Sequence, residues 1–348
     1  MSGPWPGRRA RVVAISLLAS TPARAENTGV QAPGPDADAG KGRGEEEEVL
    51  ILGRQTSGFV SRARIENSPR EITDAASLVE PLPGVHVRRL GADDSFATMS
   101  IRGSSSSQVA VYLAGVPLSG GADPTLDLAT LPLWPGAQAR VFRSFAPAAL
   151  GRGSLGGTLV LDPPSPRSPA RTDVWAAAGA FGSRRLRIGD VRGEPNGVRI
   201  ASGVSASRSD DDFSYVDPDS SRAGREVLAT RRNAGHAAAA GLASVVVPIH
   251  VGPREGSVTM TGMAQARRQE IPGRINYPSL LLHLDSTRLL TSLELSLPVD
   301  SRGAFVMRGW GRREGLSIRD DRRSALDAGA PSSTDDAIIA AGGSAGWR

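Results

Sequence analysis

Apolar and polar residues alternate over long stretches in the second half of this chain. Residues 198–207, 257–267 and 289–297 each place apolar side chains at nearly every second position. A period of two gives a β-strand one apolar face and one polar face. Segments of about ten residues with this pattern are typical of transmembrane β-barrels, but the strands of a soluble β-sandwich alternate in the same way. The pattern therefore predicts an antiparallel sheet and leaves both architectures open.

Composition agrees with a fold made of many turns and strands. The 348 residues include Gly 41 and Pro 25, and only 4% are aromatic. The formal net charge is +5, but the basic residues are scattered among acidic ones and form no stripe interleaved with aromatic residues. This distribution argues against a nucleic-acid-binding surface, so we expect no nucleic-acid partner.

The chain lacks the residue patterns of an enzyme or a metal centre. It has no cysteine, which excludes disulfides, thiol catalysis and thiolate metal sites. The histidines have no metal-ligand spacing, and no nucleophile elbow or Walker loop is present. We therefore expect no catalytic residue, no cofactor and no metal. The separated histidines are His86, His236, His250 and His283.

The first 25 residues have the layout of a secretory signal peptide. Arginines precede an apolar run at residues 12–19, and an A-x-A site ends at Ala25, after which we predict cleavage. A disordered, arginine-rich leader is the alternative. No other apolar run approaches the roughly 18 residues that a membrane-spanning helix needs. Any membrane span must then be made by β-strands.

A tether and a short apolar segment follow. Residues 26–44 are rich in Gly, Pro, Ala and Asp and are predicted to be a disordered linker. After four glutamates at 45–48 comes the segment Val49, Leu50, Ile51 and Leu52. An extended segment on a tether can add a strand to the sheet edge of a partner. The first strand of the next domain is the equally good alternative.

Residues 45–162 alternate between helix and strand signals, which predicts a mixed α+β domain. Asp74 is a possible cap for a helix over 75–80, as is the Ser68-Pro69 pair upstream, and prolines then end the helix. A strand at 100–103, a serine turn at 104–107 and a strand from Gln108 to a Gly-x-Pro turn follow.

The glycines after Leu150 resemble a dinucleotide fingerprint but lack its context. That fingerprint must open a helix whose N-terminus holds a pyrophosphate. Here Gly151, Gly153 and Gly156 run directly into an apolar strand at 158–161, followed by two prolines. No helix can start there, so nucleotide binding is excluded.

Two segments closely resemble the plug domain of TonB-dependent outer-membrane receptors. The family has an S-I-R-G segment followed by V-x-V-x-x-D-G-V-P-L, and its plug ends in a glycine pair before a strand. Ala114 stands where the family usually has aspartate. The residues that carry the resemblance are Ile101, Arg102, Gly103, Gly115, Val116, Pro117, Gly156 and Gly157.

The resemblance implies an architecture and a function. It implies a plug at 45–162 followed at 163–348 by antiparallel strands of an outer-membrane β-barrel. It also implies a receptor that transports a scarce large ligand, such as a siderophore–iron complex or cobalamin, across the outer membrane. Residues 49–52 would be the TonB box, which recruits TonB. The other expected partners are outer-membrane lipid and the external ligand. Residues 230–234 and 267–273 resemble the cobalamin and siderophore receptor branch.

Length limits the expected function. Family barrels have about 22 strands, whereas residues 163–348 supply about seven or eight at roughly 20–25 residues per strand and connection. We therefore expect an incomplete barrel and a truncated chain that cannot transport alone. The alternative is an exported β-rich binding or adhesion protein with a plug-like domain and no transport activity. The aspartates at 210–212 are expected in a solvated loop, with a calcium loop as the alternative.

Overall fold

A computed structural model gives the architecture of most of the chain after Phe59. The described residues are 10–12, 17–19, 60–65, 72–91, 95–119, 125–143, 146, 150, 154–167, 169–194, 196–217, 224, 227–252, 254–274, 277–300, 303–320 and 332–347. None of the helices in this part of the chain has the length and apolar character needed to cross a bilayer.

The first folded unit is small and mixed, with one α-helix and several short strands. A five-stranded sheet has the order β3-β8-β9-β6-β7, in which only β6 and β9 run parallel, and β4 and β5 form a separate hairpin. Short 3-10 turns lie at Ser106–Gln108 and Leu128–Thr130. The elements up to the end of this unit are β1 (Ala10–Val12), β2 (Leu17–Ala19), β3 (Val60–Arg64), α1 (Ala75–Val79), β4 (Val85–Arg89), β5 (Ala97–Ile101), β6 (Val109–Leu113), β7 (Val116–Pro117), β8 (Gln138–Phe142) and β9 (Gly157–Asp162).

The helix begins where a capping box fixes its first turn. The Asp74 carboxylate accepts the Ser77 N–H at 2.8 Å, and the Ser77 hydroxyl accepts the Asp74 N–H at 3.0 Å. The helix ends at its C-cap, Glu80, directly before Pro81, which cannot donate a helical hydrogen bond. The predicted Asp74 cap is confirmed, and the other predicted cap, at Ser68-Pro69, lies outside the described residues.

A large antiparallel sheet follows the mixed unit. Its eight long strands pair in the order β10-β11-β12-β15-β16-β19-β20-β21, so that consecutive long strands are neighbours. Connections of two to five residues, at 194–198, 252–253 and 301–302, join them at one end. The connections at the other end are longer, except for the five residues 179–183 between β10 and β11. The strands are β10 (Arg171–Ala178), β11 (Arg184–Gly193), β12 (Arg199–Ser209), β13 (Ser214–Val216), β14 (Leu228–Thr230), β15 (His236–Val251), β16 (Arg254–Glu270), β17 (Gly273–Arg274), β18 (Tyr277–Pro278), β19 (Leu282–Asp300), β20 (Gly303–Asp320) and β21 (Ser332–Trp347).

Within the described residues the sheet is open, with β10 at one edge. At the other edge β1 and β2 pair in parallel with β21. Both short strands belong to the predicted signal peptide. Cleavage after Ala25, as predicted, would remove them and leave that side of β21 free for another strand.

The two faces of the sheet differ as the alternation predicts. Met260 and Leu293 project from the outer face and are 59% and 51% exposed. On the inner face Leu242, Met263 and Leu290 are buried and belong to the same apolar core as the mixed unit. The mixed unit is therefore packed against the inner face of the large sheet, which we call the wall. The expected order of a mixed α+β domain followed by antiparallel strands with outward apolar faces is confirmed.

One turn differs from its expected position. The strand from Gln108 was expected to end at a Gly-x-Pro turn. Instead it ends at Leu113, and Ala114 and Gly115 form a tight turn with positive φ values of 52° and 78°. Pro117 lies in the return strand β7, at the edge of its sheet, where its missing N–H costs no ladder bond.

Candidate functional site

The two halves of the sequence signature meet inside the mixed unit. Ile101 is 1% exposed and ends β5, and Arg102 and Gly103 then turn the chain with positive φ values of 52° and 79°. The backbone of Gly157 passes so close that a Cβ there would lie 2.9 Å from Ile101 Cδ1 and 2.6 Å from the Phe142 oxygen. The Gly156 N–H donates to the Gln108 oxygen at 2.9 Å. The glycine pair is therefore required by close packing.

The other part of the signature contacts the wall. The tight turn that joins β6 and β7 reaches β19 and β20, where the Ser292 hydroxyl donates to the Ala114 carbonyl at 3.3 Å. A Cβ on Gly115 would lie 3.0 Å from Arg308 Nη1. Buried Arg312 donates to the Leu118 carbonyl. The strands β6 and β7 and the turn at Ala114 and Gly115 thus form a docking hairpin, which includes Val116 and Pro117 of the signature.

Two further contacts repeat this chemistry. Arg187 of β11 donates to the Thr73 carbonyl at 2.8 Å, and Gln265 of β16 donates to the Thr130 carbonyl. In all four contacts a wall side chain is the donor and a main-chain carbonyl of the mixed unit is the acceptor. Every residue has such a carbonyl, so the sequence of the mixed unit shows no sign of these contacts.

An apolar knob complements the polar contacts. Trp134, which is 1% exposed, lies against Gly203 of β12, and a Cβ on that glycine would be 2.6 Å from the indole Cδ1. The next residue, Pro135, lies in the same way against Gly189 of β11, where a Cβ would be 3.2 Å from the proline Cβ. Gly189 and Gly203 are directly paired across β11 and β12. The glycine pair forms a slot for Trp134 and Pro135.

The buried carboxylate of Asp74 and the half-buried carboxylate of Asp127 lie on the side of the mixed unit near the wall. Burial raises the pKa of Asp74, but hydrogen bonds from Arg89 and from the Ser77 N–H outweigh it and hold the pKa below its ordinary 3.8. The Arg89–Asp74 ion pair is 2.5 Å long. Burial also raises the pKa of Asp127, which stays above 3.8 although its carboxylate accepts two backbone N–H groups and lies near Arg267.

A cavity of about 50 Å³ lies in the seam between the two parts. Thr73, Asp74 and Thr130 line it from the mixed unit. From the wall it is lined by charged and polar side chains, mainly Arg185, Arg187, Ser205, Ser207, Gln265 and Arg267. These wall residues lie near the strand ends that carry the longer connections. Sequence reasoning did not find this cavity, because its lining comes from six separate strands and turns.

The loop motifs singled out in the sequence meet at the same end of the sheet. The Asn233 amide donates to the Ile271 carbonyl at 3.0 Å and to the Leu282 carbonyl at 2.9 Å. Arg231 donates to the Gly273 carbonyl at 2.6 Å. These motif residues join the connection between β12 and β15 to the connection between β16 and β19, which is a structural role.

The aspartates at 210–212 organise a turn. The Asp211 carboxylate accepts the Ser209 hydroxyl at 2.7 Å, and the backbone N–H groups of Asp210 and Asp211 donate to the Phe181 carbonyl. Among the described residues, no group of three or more His, Cys, Asp or Glu side chains is placed to hold a metal.

The remaining predicted site residues lie outside the described part of the chain. They are the cleavage residue Ala25 and the segment Val49, Leu50, Ile51 and Leu52. The signal peptide, the tether and the TonB box therefore stay predictions, as do the domain boundaries.

A family model and several solved structures match this chain. The family model is the TonB-dependent receptor plug domain, which matches residues 52–158. No curated protein matches the sequence significantly.

The structural matches are distant in sequence and similar in fold. The copper transporter OprC is 15% identical, with a TM-score of 0.61, and the match covers 83% of this chain and 44% of that one. The ferric-catecholate import receptor Fiu from E. coli K12, in its open form, is 12% identical, with a TM-score of 0.54 and coverage of 80% and 43%. The siderophore receptor PiuA from Acinetobacter baumannii is 14% identical, with a TM-score of 0.52 and coverage of 75% and 37%.

This chain spans about two fifths of the length of these structures. The mixed unit at the matched residues has the packed glycines and the docking hairpin of the signature, and the sheet that follows presents its apolar face outward. Proteins of the matched family are outer-membrane transporters rather than enzymes. Residues 52–158 match the plug domain of TonB-dependent receptors, and the chain is similar in fold to these solved structures.

Proposed function

We propose that this chain acts in the uptake of a scarce large ligand, such as a siderophore–iron complex or cobalamin, across the outer membrane. We expect it in the outer membrane, where receptors with the matched plug domain are located. The observation that carries the proposal is the plug domain seated on the polar face of a sheet whose other face exposes Met260, Leu289 and Leu293. Lipid can cover such an apolar face, and the plug covers the other.

The proposed energy source is the proton-motive force of the inner membrane, which TonB would transmit by pulling on Val49–Leu52. This segment follows a glycine- and proline-rich tether and is apolar and extended in character. Strand addition uses main-chain hydrogen bonds, so recognition should tolerate a change of side chain and fail when an N–H is removed. The chain would act as a receptor and transporter, without catalysing a reaction.

Cross-linking tests the TonB contact without knowledge of the ligand. The chain has no cysteine, so Leu50→Cys introduces a single thiol that can form a disulfide with a cysteine placed in TonB. We expect a cross-linked product from Leu50→Cys and none when Ile51→Pro is added. Adding Ile51→Val instead is the matched control and should keep the product. A product that survives Ile51→Pro would contradict strand addition.

Fractionation and uptake test the rest of the proposal. The chain should co-fractionate with outer membrane. Cells that express it together with the strands that complete its barrel should take up a ferric catecholate or cyanocobalamin only when TonB is present. Recovery as a soluble periplasmic protein would instead favour an exported binding protein without transport activity. Membrane recovery without TonB-dependent uptake of either probe would contradict the proposed transport and leave the family assignment intact.

A further inference from the structure

The seam cavity carries an excess of positive charge on its lining. Three guanidinium groups, those of Arg185, Arg187 and Arg267, line it together with one carboxylate, that of Asp74, among the described residues. Arg89 binds that carboxylate with two hydrogen bonds of 2.5 and 3.1 Å from within the plug. The carboxylate is thus already engaged on the plug side of the seam.

Two of the arginines make contacts that orient their side chains. Arg187 is 5% exposed, donates to the Thr73 carbonyl and lies over the Trp175 ring at 4.4 Å from its centroid. Arg267 is 7% exposed and donates to the Gln269 side-chain oxygen at 2.6 Å. Asp127 lies near Arg267 and offsets part of its charge. These contacts fix the two guanidinium groups with little mobility before anything else binds.

The neutral part of the lining suits an oxyanion. Ser205, Ser207 and Thr130 bring hydroxyl groups, and Gln265 brings an amide. A water molecule needs about 10–15 Å³ of cavity volume. The seam cavity, with about 50 Å³, can therefore hold a few waters or one small oxyanion. Planar guanidinium groups bind phosphate and carboxylate oxygens in pairs, and these charge-assisted bonds strengthen away from bulk water.

We propose that the seam cavity is a binding site for a small oxyanion of the phosphate class. The anion would accept hydrogen bonds from wall arginines and from hydroxyl groups on both sides of the seam. It would thereby join the plug to the wall. The proposal concerns the seam itself and does not depend on which ligand is taken up.

Thermal unfolding of the full chain in detergent, with inorganic phosphate as the probe, tests this site. Phosphate is compared with chloride at equal ionic strength and pH 7, so that general screening is matched. For phosphate at about ten times its Kd, we expect the wild-type midpoint to rise by about 2–4 °C above its value in chloride. Arg267→Gln should lose this rise, because it removes a buried charge and keeps a similar side-chain length.

The neighbouring arginine provides the matched control. Arg268 projects from the other face of β16, with a side chain 59% exposed, so Arg268→Gln should keep the full phosphate response. Arg185→Gln is a second cavity variant if Arg267→Gln does not fold, and it should reduce the response. The proposal is overturned if phosphate raises the unfolding midpoint of the wild type no more than chloride does. Equal responses of the cavity variants and Arg268→Gln would also overturn it.

Discussion

The strands of the plug and the strands of the wall use the same alternating pattern with opposite results. In β5 the apolar residues Ala97, Met99 and Ile101 point into the plug core and are at most 3% exposed. In β19 the alternating leucines Leu289 and Leu293 point away from the protein and are about half exposed. The wall strand turns its other face, which carries Ser292 and Glu294, towards the plug side.

The difference shows that alternation defines two faces without saying which of them is buried. In the plug the apolar face has a protein partner, so the polar face meets solvent. In the wall the small and polar face has the plug as partner, so the apolar face is left for lipid. The partner of each face therefore decides the meaning of the pattern, and substitutions in the two regions should have unequal costs.

Shortening one leucine in the plug and one in the wall tests most directly whether the two regions differ in their packing. Leu159→Ala in β9 removes a side chain that is 0% exposed, and we expect it to cost about 2–5 kcal/mol of unfolding free energy. Leu293→Ala on the outer face leaves no cavity, because lipid fills the space, so it should lose only the transfer free energy, about 1–2 kcal/mol in lipid vesicles. Urea unfolding of both variants measures the costs. Equal losses would mean that the outer face is packed against protein.

Removing a charge inside the plug should have the second largest effect on the free energy of unfolding. Asp74→Asn removes the charge of the Arg89 ion pair and should cost about 1.5–3 kcal/mol at neutral pH. Because the folded-state pKa of Asp74 lies below 3.8, its contribution is present above that pH and is lost as pH falls through the lowered pKa.

The pH dependence of unfolding checks the Asp74 prediction. The wild type should lose stability below about pH 4 more steeply than Asp74→Asn. Asp210→Asn, which alters an exposed pair with Arg208, is the control and should change stability by less than about 1 kcal/mol. Parallel pH profiles for the wild type and Asp74→Asn would contradict this assignment.

The junction between the regions can be tested at the glycine slot. Gly203→Ala places a Cβ 2.6 Å from Trp134 Cδ1, and the resulting overpacking should cost about 1–3 kcal/mol. Gly241→Ala in the neighbouring long strand meets nothing within 4 Å and should change stability by less than about 0.5 kcal/mol. Adding Trp134→Ala to each glycine variant completes a double-mutant cycle, which measures the coupling free energy between Trp134 and the glycine position. A coupling near zero would show that Trp134 does not dock in the slot.

Patterns within one stretch of sequence predicted most of this fold. The Asp74 cap, the run of Gly156-Gly157 into a strand and the outward faces of β12, β16 and β19 follow from short-range rules that the structure confirms. The seam could not be predicted in that way. Its contacts end on carbonyls such as those of Thr73 and Thr130, which carry no side-chain signal, and they join residues more than a hundred positions apart.

The residues of the signature identify a family pattern, and in the structure each part of the signature has a separate role. Ile101 and Gly157 pack the interior, while Gly115 and Val116 shape a hairpin that reaches the wall. A linear motif cannot separate these tasks, because the distinction depends on where β19 and β20 lie. Ala114, the departure from the family pattern, lies in that hairpin.

That departure gives the smallest expected effect and the sharpest test of the hairpin. Ala114 has φ +52°, a left-handed conformation that costs an alanine about 1 kcal/mol or more. Ala114→Gly should relieve this strain. Because glycine also raises the conformational entropy of the unfolded chain, the net gain in unfolding free energy should be about 0.5 kcal/mol. Its carbonyl would still accept the Ser292 hydroxyl, so docking should persist. Ala110→Gly, in the adjoining strand β6, should lower stability by about 0.5–1 kcal/mol in the same urea measurement. If both glycine variants lower stability equally, contact with the wall does not hold Ala114 in a strained turn, because an unstrained alanine would respond like Ala110.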